Sequence, residues 1–168
     1  MWYNRYIMEG KRSQSRAILV FGAPASGKTT FCEKFSRQFR APYYNLNELA
    51  DDYGFSRKNL MVILDLLAQT GQNIILEGGL DKFEERDEIK KLFRSHDYQP
   101  SLIWIQTDVN TIKSRLKTRL KTVSKAKEAY DSKIAALEAP TDLENPIVLS
   151  GKHTFETQLK AVLSQLAE

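Results

Sequence analysis

Short apolar runs alternate along this chain with longer segments in which apolar residues recur every three or four positions. The short runs predict buried strands at residues 17–21, 43–45, 73–77, 101–107 and 146–149. The longer segments predict amphipathic helices between the strands. Since the strands are almost wholly apolar and alternate with helices, we predict the α/β class, with a parallel sheet that helices cover on both faces.

Six segments have the spacing of an amphipathic helix. The second of them should end at Gly71, where glycine supplies a left-handed closing residue. For the third, Asp81 and Glu84 have the spacing of a capping box, and Asp108 is a candidate cap for the fourth. The apolar residues expected to face the core are Phe31, Cys32, Phe35 and Phe39; Leu60, Ile63, Leu64 and Leu67; Phe83, Ile89, Leu92 and Phe93; Val109, Ile112, Leu116 and Leu120; Tyr130, Ile134 and Leu137; and Phe155, Leu159, Val162, Leu163 and Leu166.

Length and composition are those of one soluble globular domain, with 168 residues of which 42% are apolar and 27% charged. The single cysteine, Cys32, cannot form an internal disulfide, and no apolar run is long enough to span a bilayer. Residues 1–16 are polar, aromatic and basic and lack the apolar stretch of a secretion signal. We therefore expect a cytoplasmic protein with no membrane partner, made of a domain at residues 17–168 and a loosely attached segment before it.

The positive charge of the chain is concentrated at residues 109–127. This segment contains no acidic residue and seven basic ones: Lys113, Arg115, Lys117, Arg119, Lys121, Lys125 and Lys127. Because the whole chain has a net charge of only +4, the residues outside this segment sum to 4 − 7 = −3 and are slightly acidic. A locally basic chain of this kind does not favour nucleic acid as a general partner.

Residues 22–29 match the phosphate-loop pattern G-x-x-x-x-G-K-S/T without a mismatch. The loop follows a predicted buried strand and precedes a predicted helix, which is the context that the pattern requires. Its backbone amides would surround a polyanion, Lys28 would reach the β and γ phosphates, and the Thr29 hydroxyl would ligate magnesium. We predict that the chain binds ATP with Mg²⁺. The residues expected to hold the nucleotide here are Gly22, Ala23, Pro24, Ala25, Ser26, Gly27, Lys28, Thr29 and Thr30.

Two further stretches extend the pattern: the strand that ends in Glu77, Gly78 and Gly79, and the segment at residues 108–119. With the phosphate loop, they make the chain resemble the small P-loop kinases, which include gluconate, shikimate and adenylate kinases, zeta toxins and the small AAA-labelled ATP-binding kinases. The resemblance covers nearly the whole chain from Ala17 onward. It implies a three-layer P-loop NTPase fold with a parallel five-stranded sheet, an ATP site at the carboxyl ends of the strands, and a short helical lid at about residues 119–130.

The resemblance also implies roles for individual residues. Arg115 and Arg119 match an arginine pair that covers the adenine or steadies the transferred phosphoryl group, the alternative being a solvated basic face. Glu77 matches a carboxylate that holds magnesium through water or accepts a proton, the alternative being an acidic cap of the next turn. Gly151, after the last strand, matches a backbone segment that passes beside the adenine. Lys28, Arg115, Arg119 and Glu77 are thus the expected catalytic residues.

The acceptor side departs from the family pattern. Asn47 stands where related kinases have an aspartate that contacts the acceptor hydroxyl, and an asparagine cannot accept a proton. A base would then come from Glu48, Asp51, Asp52 or Glu77, unless the loose transition state of phosphoryl transfer makes a strong base unnecessary. Arg86 and Asp87 match a pair near the acceptor in several of these kinases, or else form an ordinary surface salt bridge.

The leading hypothesis is a kinase that transfers the γ-phosphoryl group of ATP to a small hydroxyl-bearing acceptor. The alternative is a nucleotide-dependent regulatory module with weak ATPase activity, which the asparagine at position 47 favours. A polynucleotide 5′-hydroxyl kinase or a toxin-like nucleotide-sugar kinase is less favoured. His96, His153 and Cys32 lack partners at metal-ligand spacing, which indicates structural roles.

Overall fold

The computed structural model describes residues 14–120 and 123–167, with the backbone alone at 120, 123–127, 129 and 133. The strands are β1 (Arg16–Phe21), β2 (Tyr43–Asn45), β3 (Ile74–Glu77), β4 (Gln99–Gln106) and β5 (Ile147–Ser150). The helices are α1 (Lys28–Phe39), α2 (Leu46–Tyr53), α3 (Arg57–Ala68), α4 (Phe83–Ser95), α5 (Val109–Leu120), α6 (Val123–Ala136) and α7 (Phe155–Leu166), with a 3₁₀ helix at Asp142–Glu144. Among the described residues, no helix is long and apolar enough to cross a membrane.

The five strands form one sheet in the order β2-β3-β1-β4-β5, and every hydrogen-bonded pair is parallel. The predicted α/β class with a parallel five-stranded sheet is therefore confirmed. Because β1 is central, the phosphate loop that follows it lies at the middle of the carboxyl edge of the sheet. The ends of β3 and β4 flank the loop on its two sides.

Helices cover both faces of the sheet, and alternate residues of β1 show how the two faces are divided. Leu19 packs with Leu64 of α3 and Phe93 of α4 on one face. Val20 packs with residues of α1 and α7 on the other face, Phe35 and Val162 among them. The alternation follows from strand geometry, which points successive side chains to opposite faces. Burial of apolar side chains on both faces stabilises the position of the loop at the edge.

The structure contains one helix that the sequence analysis did not predict, α2. Its apolar residues Leu46, Leu49, Ala50 and Tyr53 have helical spacing, but its eight residues are fewer than the window in which such spacing identifies a helix. Its start is instead fixed by Asn45, whose side chain accepts hydrogen bonds from the backbone N–H groups of Asn47 and Glu48. The cap thus sets the direction of the two residues that the sequence assigns to the acceptor side.

Other helix ends differ from prediction by a residue or two. The predicted capping box of Asp81 and Glu84 is wrong: α4 begins at Phe83, and Glu85 accepts a hydrogen bond from the Lys82 N–H at 3.0 Å. This shift turns Phe83 outward, with 42% of its surface exposed. In α5 the first residue, Val109, is likewise 45% exposed rather than inward.

The predicted boundary between the loose N-terminal segment and the domain, after residue 16, falls within β1. Arg16 is the first residue of β1, its N–H donates to the Asn73 side chain at 2.7 Å, and its guanidinium donates to the Leu166 carbonyl at 2.8 Å. The Ser15 carbonyl also accepts a hydrogen bond from Gln99. Ordered contacts therefore begin by Ser15, while residues 1–13 of the predicted loose segment lie outside the described residues.

Candidate active site

Backbone conformation shapes the loop between β1 and α1. Gly22 has φ +144°, and a Cβ atom there would lie 2.3 Å from the Ile105 carbonyl oxygen, so only glycine fits between β1 and β4. Ala25 and Gly27 also have positive φ, at 57° and 111°. The bends turn the loop back on itself, and Gly27 becomes the N-cap of α1.

Positive electrostatic potential collects where the loop enters α1. The first turn of α1 contains no acidic residue of its own, so no carboxylate within the helix offsets the partial positive charge of its N-terminus. The Lys28 ammonium donates to the Ala23 carbonyl at 2.9 Å, which folds this side chain across the loop. A helix N-terminus with a loop of this kind is a favourable site for phosphate.

Glu77 lies beside the loop, at the end of β3, and is only 4% exposed. Its Oε1 accepts a hydrogen bond from the Thr29 hydroxyl at 2.9 Å, and its Oε2 accepts one from the Tyr43 hydroxyl at 2.6 Å. Burial, together with the hydrogen bond and charge of Glu77, raises the pKa of Tyr43, so this hydroxyl stays a donor. Sequence analysis missed Tyr43, because the contact depends on β2 pairing with β3.

Arg115 joins the phosphate loop to the segment after β5. Its guanidinium donates to the carbonyls of Ala25 at 3.0 Å, Ser26 at 3.3 Å and Gly151 at 3.0 Å. Gly151 approaches so closely that a Cβ atom there would lie 1.9 Å from the Ser26 carbonyl oxygen. The structure thus brings the two predicted regions together, with the Arg115 donors engaged by backbone carbonyls.

A cavity of about 560 Å³ opens between these two loops. Arg119, one turn beyond Arg115 on α5, lines it and is exposed. Of the predicted loop residues, Ala25, Gly27, Lys28, Thr29 and Thr30 line it, whereas Gly22, Ala23, Pro24 and Ser26 are not among its lining residues.

The wall of this cavity also includes Phe155, which the sequence analysis assigned to the core and not to the site. The Phe155 ring packs against Phe31 at 6.0 Å between centroids, and the Lys34 ammonium lies 5.7 Å from the Phe155 centroid. An aromatic ring and cations beside a phosphate loop suit the base and phosphates of a nucleotide.

A second cavity, of about 750 Å³, lies between α6 and the ends of β4 and β5. Its walls include Trp104, Tyr130 and Val148, and an ion pair of Asp108 and Lys152 with a 2.6 Å contact stands among the lining residues. It is the larger of the two cavities, but it lacks Lys28, Thr29 and Glu77. Lys28 and Thr29, the side chains suited to phosphate and metal binding, line the smaller cavity, and Glu77 contacts Thr29.

Asn47 and Glu48 lie in the first turn of α2, at the same edge of the sheet. The Asn47 Oδ1 accepts a hydrogen bond from the Gly79 N–H at 3.0 Å, and a Cβ atom on Gly78 would lie 2.7 Å from its Cγ. Asn47 therefore supports the turn that follows Glu77. Glu48 is exposed, and its Oε1 accepts a hydrogen bond from the Asn45 amide at 3.0 Å.

Arg86 is corrected by the structure. It is fully buried, its Nε and second terminal nitrogen donate to the two carboxylate oxygens of Glu144 at 2.7 and 3.0 Å, and it lies 4.7 Å from the centre of the Phe21 ring. Its remaining terminal nitrogen donates to three backbone carbonyls, those of Leu80, Asp81 and Glu138. A contact with an acceptor is therefore blocked, and the alternative surface pair is also wrong, because Asp87 pairs with Lys91 at 2.7 Å.

Arg57, which sequence analysis also missed, lies next to the turn after β3. Its guanidinium donates to the Gly79 carbonyl at 2.9 Å and to the Glu85 carbonyl at 3.1 Å, and it pairs with Glu88 at 2.8 Å. Its side chain remains one third exposed. No sequence pattern distinguishes it from the other basic residues that begin helices.

Of the three residues predicted to be structural, only His96 and Cys32 have structural surroundings. His96 contacts Asp65 at 2.8 Å, and burial raises the pKa of the Cys32 thiol. His153 lies at the rim of both cavities. Within residues 14–120 and 123–167, no cluster of three or more histidine, cysteine or acidic side chains is arranged to hold a metal ion. The predicted lid includes residues 121–122, outside the described residues, and its closure stays a prediction.

The AAA domain profile matches residues 18–136, which is well over half of the chain and includes the phosphate loop, Glu77, Arg115 and Arg119. This chain belongs to the AAA domain family. The match begins in β1 of this AAA-domain protein and ends with the last residue of α6, so it leaves out β5 and α7. No curated protein sequence matches the chain.

Several solved structures with the same fold are kinases. A sugar kinase from Janibacter sp. superposes with a TM-score of 0.69 at 19% identity, over 91% of this chain and 95% of that one. A gluconokinase from Sinorhizobium meliloti gives 0.66 at 13% identity, over 92% and 93%. An APS kinase from Mycobacterium tuberculosis in complex with AMPPNP and APS gives 0.68 at 16% identity, over 92% and 99%. The AAA-domain protein thus has the fold of the small P-loop kinases, as the sequence predicts.

Proposed function

We propose that this AAA-domain protein is a kinase that transfers the γ-phosphoryl group of ATP to a hydroxyl group of a small acceptor. The observation that carries the proposal is the contact of Thr29 with Glu77, which sets a buried carboxylate beside the hydroxyl at the mouth of the phosphate loop. A cytoplasmic location accords with Cys32, a free thiol.

The loop and its surroundings supply the binding half of the reaction. Backbone amides and the N-terminus of α1 hold the phosphates, and Lys28 adds a full positive charge next to them. Arg119 lines the cavity on the lid side, where a guanidinium can neutralise charge on the phosphoryl group during transfer. The cavity beside Phe155 and Gly151 is the proposed place of the base.

The donor set at Thr29 and Glu77 fits Mg²⁺. Both groups are hard oxygen donors at 2.9 Å from each other, and Mg²⁺ in phosphate sites typically uses one or two protein oxygens, the phosphates and water. The Thr29 oxygen would ligate the ion while its hydroxyl hydrogen stays directed at the Glu77 carboxylate. Thr29 and Glu77 would hold the ion, which would neutralise negative charge on the phosphates.

The acceptor half contains no strong base in the position that the family pattern assigns. Asn47 cannot accept a proton, and its Oδ1 is already bonded to the Gly79 N–H. Both oxygens of Glu77 accept hydrogen bonds. Phosphoryl transfer has a loose transition state, so positioning of the acceptor hydroxyl and neutralisation of charge can supply most of the acceleration. Asn47, Glu48 and the Gly78 turn are the proposed walls of this acceptor site.

Incubation of the purified chain with Mg²⁺ and ATP labelled at the γ phosphate, across a broad panel of metabolites, tests this function. We expect one class of hydroxyl compound to take up the label. Lys28→Ala should weaken nucleotide binding by about 10- to 100-fold, since hydrogen bonds to charged groups contribute about 1.5–3 kcal/mol. Lys58→Ala, an exposed lysine on α3, is the matched control. Absence of any labelled product, together with unchanged nucleotide affinity in Lys28→Ala, would refute the proposal.

Asn47 favours one second candidate, a nucleotide-dependent regulatory module with weak ATPase activity. Such a protein would use ATP to change the position of its lid rather than to phosphorylate an acceptor. Limited proteolysis at the lysines of residues 121–127, with and without ATP, tests it. Protection by ATP without any labelled acceptor would favour this module, and absence of protection would count against a moving lid.

A further inference from the structure

The Tyr43 hydroxyl reaches Glu77 from the neighbouring strand. In the pairing of β2 with β3, Tyr43 stands opposite Ile75 and Asn45 stands opposite Glu77. Tyr43 is therefore two residues short of Glu77, an offset of about 6.6 Å along a strand. The ring spans this offset, and its hydroxyl donates to the Glu77 Oε2 at 2.6 Å.

The two oxygens of Glu77 thus have donors from two different elements. Thr29 of α1 donates to Oε1, and Tyr43 of β2 donates to Oε2. The last torsion of a glutamate side chain is broad, so one donor alone leaves the carboxylate plane free to turn. Two donors on opposite oxygens hold that plane fixed.

We infer that Tyr43 is a positioning residue: its hydrogen bond fixes the Glu77 carboxylate so that Oε1 stays on Thr29, at the proposed magnesium position. This inference rests on the proposed function and deepens it. Hydrogen bonds from a second layer of side chains commonly orient metal-site carboxylates, and their loss lowers metal affinity by about 10- to 100-fold.

The Tyr43 ring also has a packing role, which the test must separate from the role of its hydroxyl. The ring packs against the core cluster shared by α1 and α7, so Tyr43→Phe keeps the packing and removes only the hydrogen bond. Tyr44 is the matched control, because its ring packs on the opposite face of the sheet, away from Glu77. Tyr43→Met removes the hydroxyl in a second way if the phenylalanine variant does not fold.

The experiment measures ADP affinity by calorimetry, with Mg²⁺ and with chelator, in the full chain. We expect Tyr43→Phe to reduce the gain in affinity that Mg²⁺ gives by about 10-fold. Affinity in chelator and the melting temperature should stay near the parent values. Tyr44→Phe should leave all of these values unchanged. An unchanged Mg²⁺ gain in Tyr43→Phe overturns the inference.

Glu77→Gln completes a double-mutant cycle. If Tyr43 acts through Glu77, Tyr43→Phe should cost much less in the Glu77→Gln background than in the parent chain. Equal losses in both backgrounds would overturn the positioning role while leaving the proposed kinase site intact. A Mg²⁺ gain that survives Glu77→Gln undiminished would instead refute the metal role of Glu77 in the proposed function. Absence of ADP binding in the parent chain would refute both.

Discussion

Arg86 and Glu144 form a buried ion pair with two hydrogen bonds, at 2.7 and 3.0 Å. The side chains are 0% and 5% exposed. The pair joins α4 to the 3₁₀ helix before β5, which are far apart in sequence. Arg86 also donates to the Leu80 carbonyl, near the turn that follows Glu77. One buried guanidinium thus holds together the wall behind the candidate site.

Removal of one partner of this ion pair should be strongly destabilising. Glu144→Gln leaves the Arg86 charge buried without its counter-ion, and we expect it to lower the free energy of unfolding by about 3–5 kcal/mol. Lys91→Ala is the control: it breaks the surface pair with Asp87, and exposed pairs contribute about 0–1 kcal/mol. Urea denaturation of both variants measures the difference. Similar losses of unfolding free energy in the two variants would mean that the buried pair stabilises the protein no more than a surface pair does.

The same ion pair predicts a dependence of stability on pH. Burial disfavours the charged Glu144 carboxylate, but hydrogen bonds from Arg86 and the Thr141 N–H, with the charges of Arg86 and Lys90, outweigh burial and lower its pKa. Because the pKa is lowered on folding, the ionised Glu144 carboxylate contributes fully to the free energy of unfolding above its unfolded-state pKa of about 4.3. This contribution is lost as the pH falls through the folded-state pKa. The gap in unfolding free energy between the parent chain and Glu144→Gln should therefore narrow from about pH 5 downward. A gap that stays constant to pH 3 would contradict this assignment.

The phosphate loop and Glu77 could be predicted from the sequence because the local backbone geometry determines where each of them lies. Residues 22–29 have a pattern that only a loop between strand and helix satisfies, and a carboxylate that ends a buried strand must lie at the carboxyl edge of the sheet. Both inferences depend on local geometry. The order of strands adds that β3 is the neighbour of β1, which brings Glu77 to Thr29.

The features that sequence analysis missed depend on contacts between distant parts of the chain. Tyr43 meets Glu77 only because β2 pairs with β3, and Arg57 meets Gly79 only because α3 packs beside that turn. The Arg86–Asp87 pair matched a family pattern near the acceptor, but the sequence does not show which face of α4 packs inward, and the structure buries Arg86 completely. Helix α2 was not predicted because it has only eight residues, too few for apolar spacing to identify it, and the Asn45 side chain fixes where it begins.

Gly151 should tolerate no side chain. A Cβ atom there would lie 1.9 Å from the Ser26 carbonyl oxygen and 2.2 Å from the Thr107 hydroxyl, so Gly151→Ala must push the loop after β5 away from the phosphate loop. We expect weaker ADP binding, by 10-fold or more, and a loss of about 1–3 kcal/mol of stability from overpacking. The control is Gly71→Ala, where φ is +66° and no heavy atom lies within 4 Å. It should cost about 1–2 kcal/mol through backbone strain and leave ADP affinity unchanged, as fluorescence titration would reveal.

Arg115 and Arg119 lie one turn apart on α5, but their surroundings predict different roles. Arg115 donates to three carbonyls of two loops, so Arg115→Ala should lower stability by about 1 kcal/mol and weaken ADP binding through displacement of those loops. Arg119 lines the cavity, so Arg119→Ala should keep stability within about 0.5 kcal/mol and slow phosphoryl transfer by about 100-fold or more.

Lys117→Ala, an exposed change between the two arginines, should alter neither stability nor transfer. Melting curves separate the two arginines first, and the rate at which the labelled γ phosphate appears on the acceptor separates them again. A guanidinium has a planar fork that an ammonium lacks, so Arg119→Lys should recover only part of the rate. If Arg115→Ala slows transfer at full stability while Arg119→Ala leaves the rate unchanged, the two roles are reversed and Arg115 must leave its carbonyl partners when nucleotide binds.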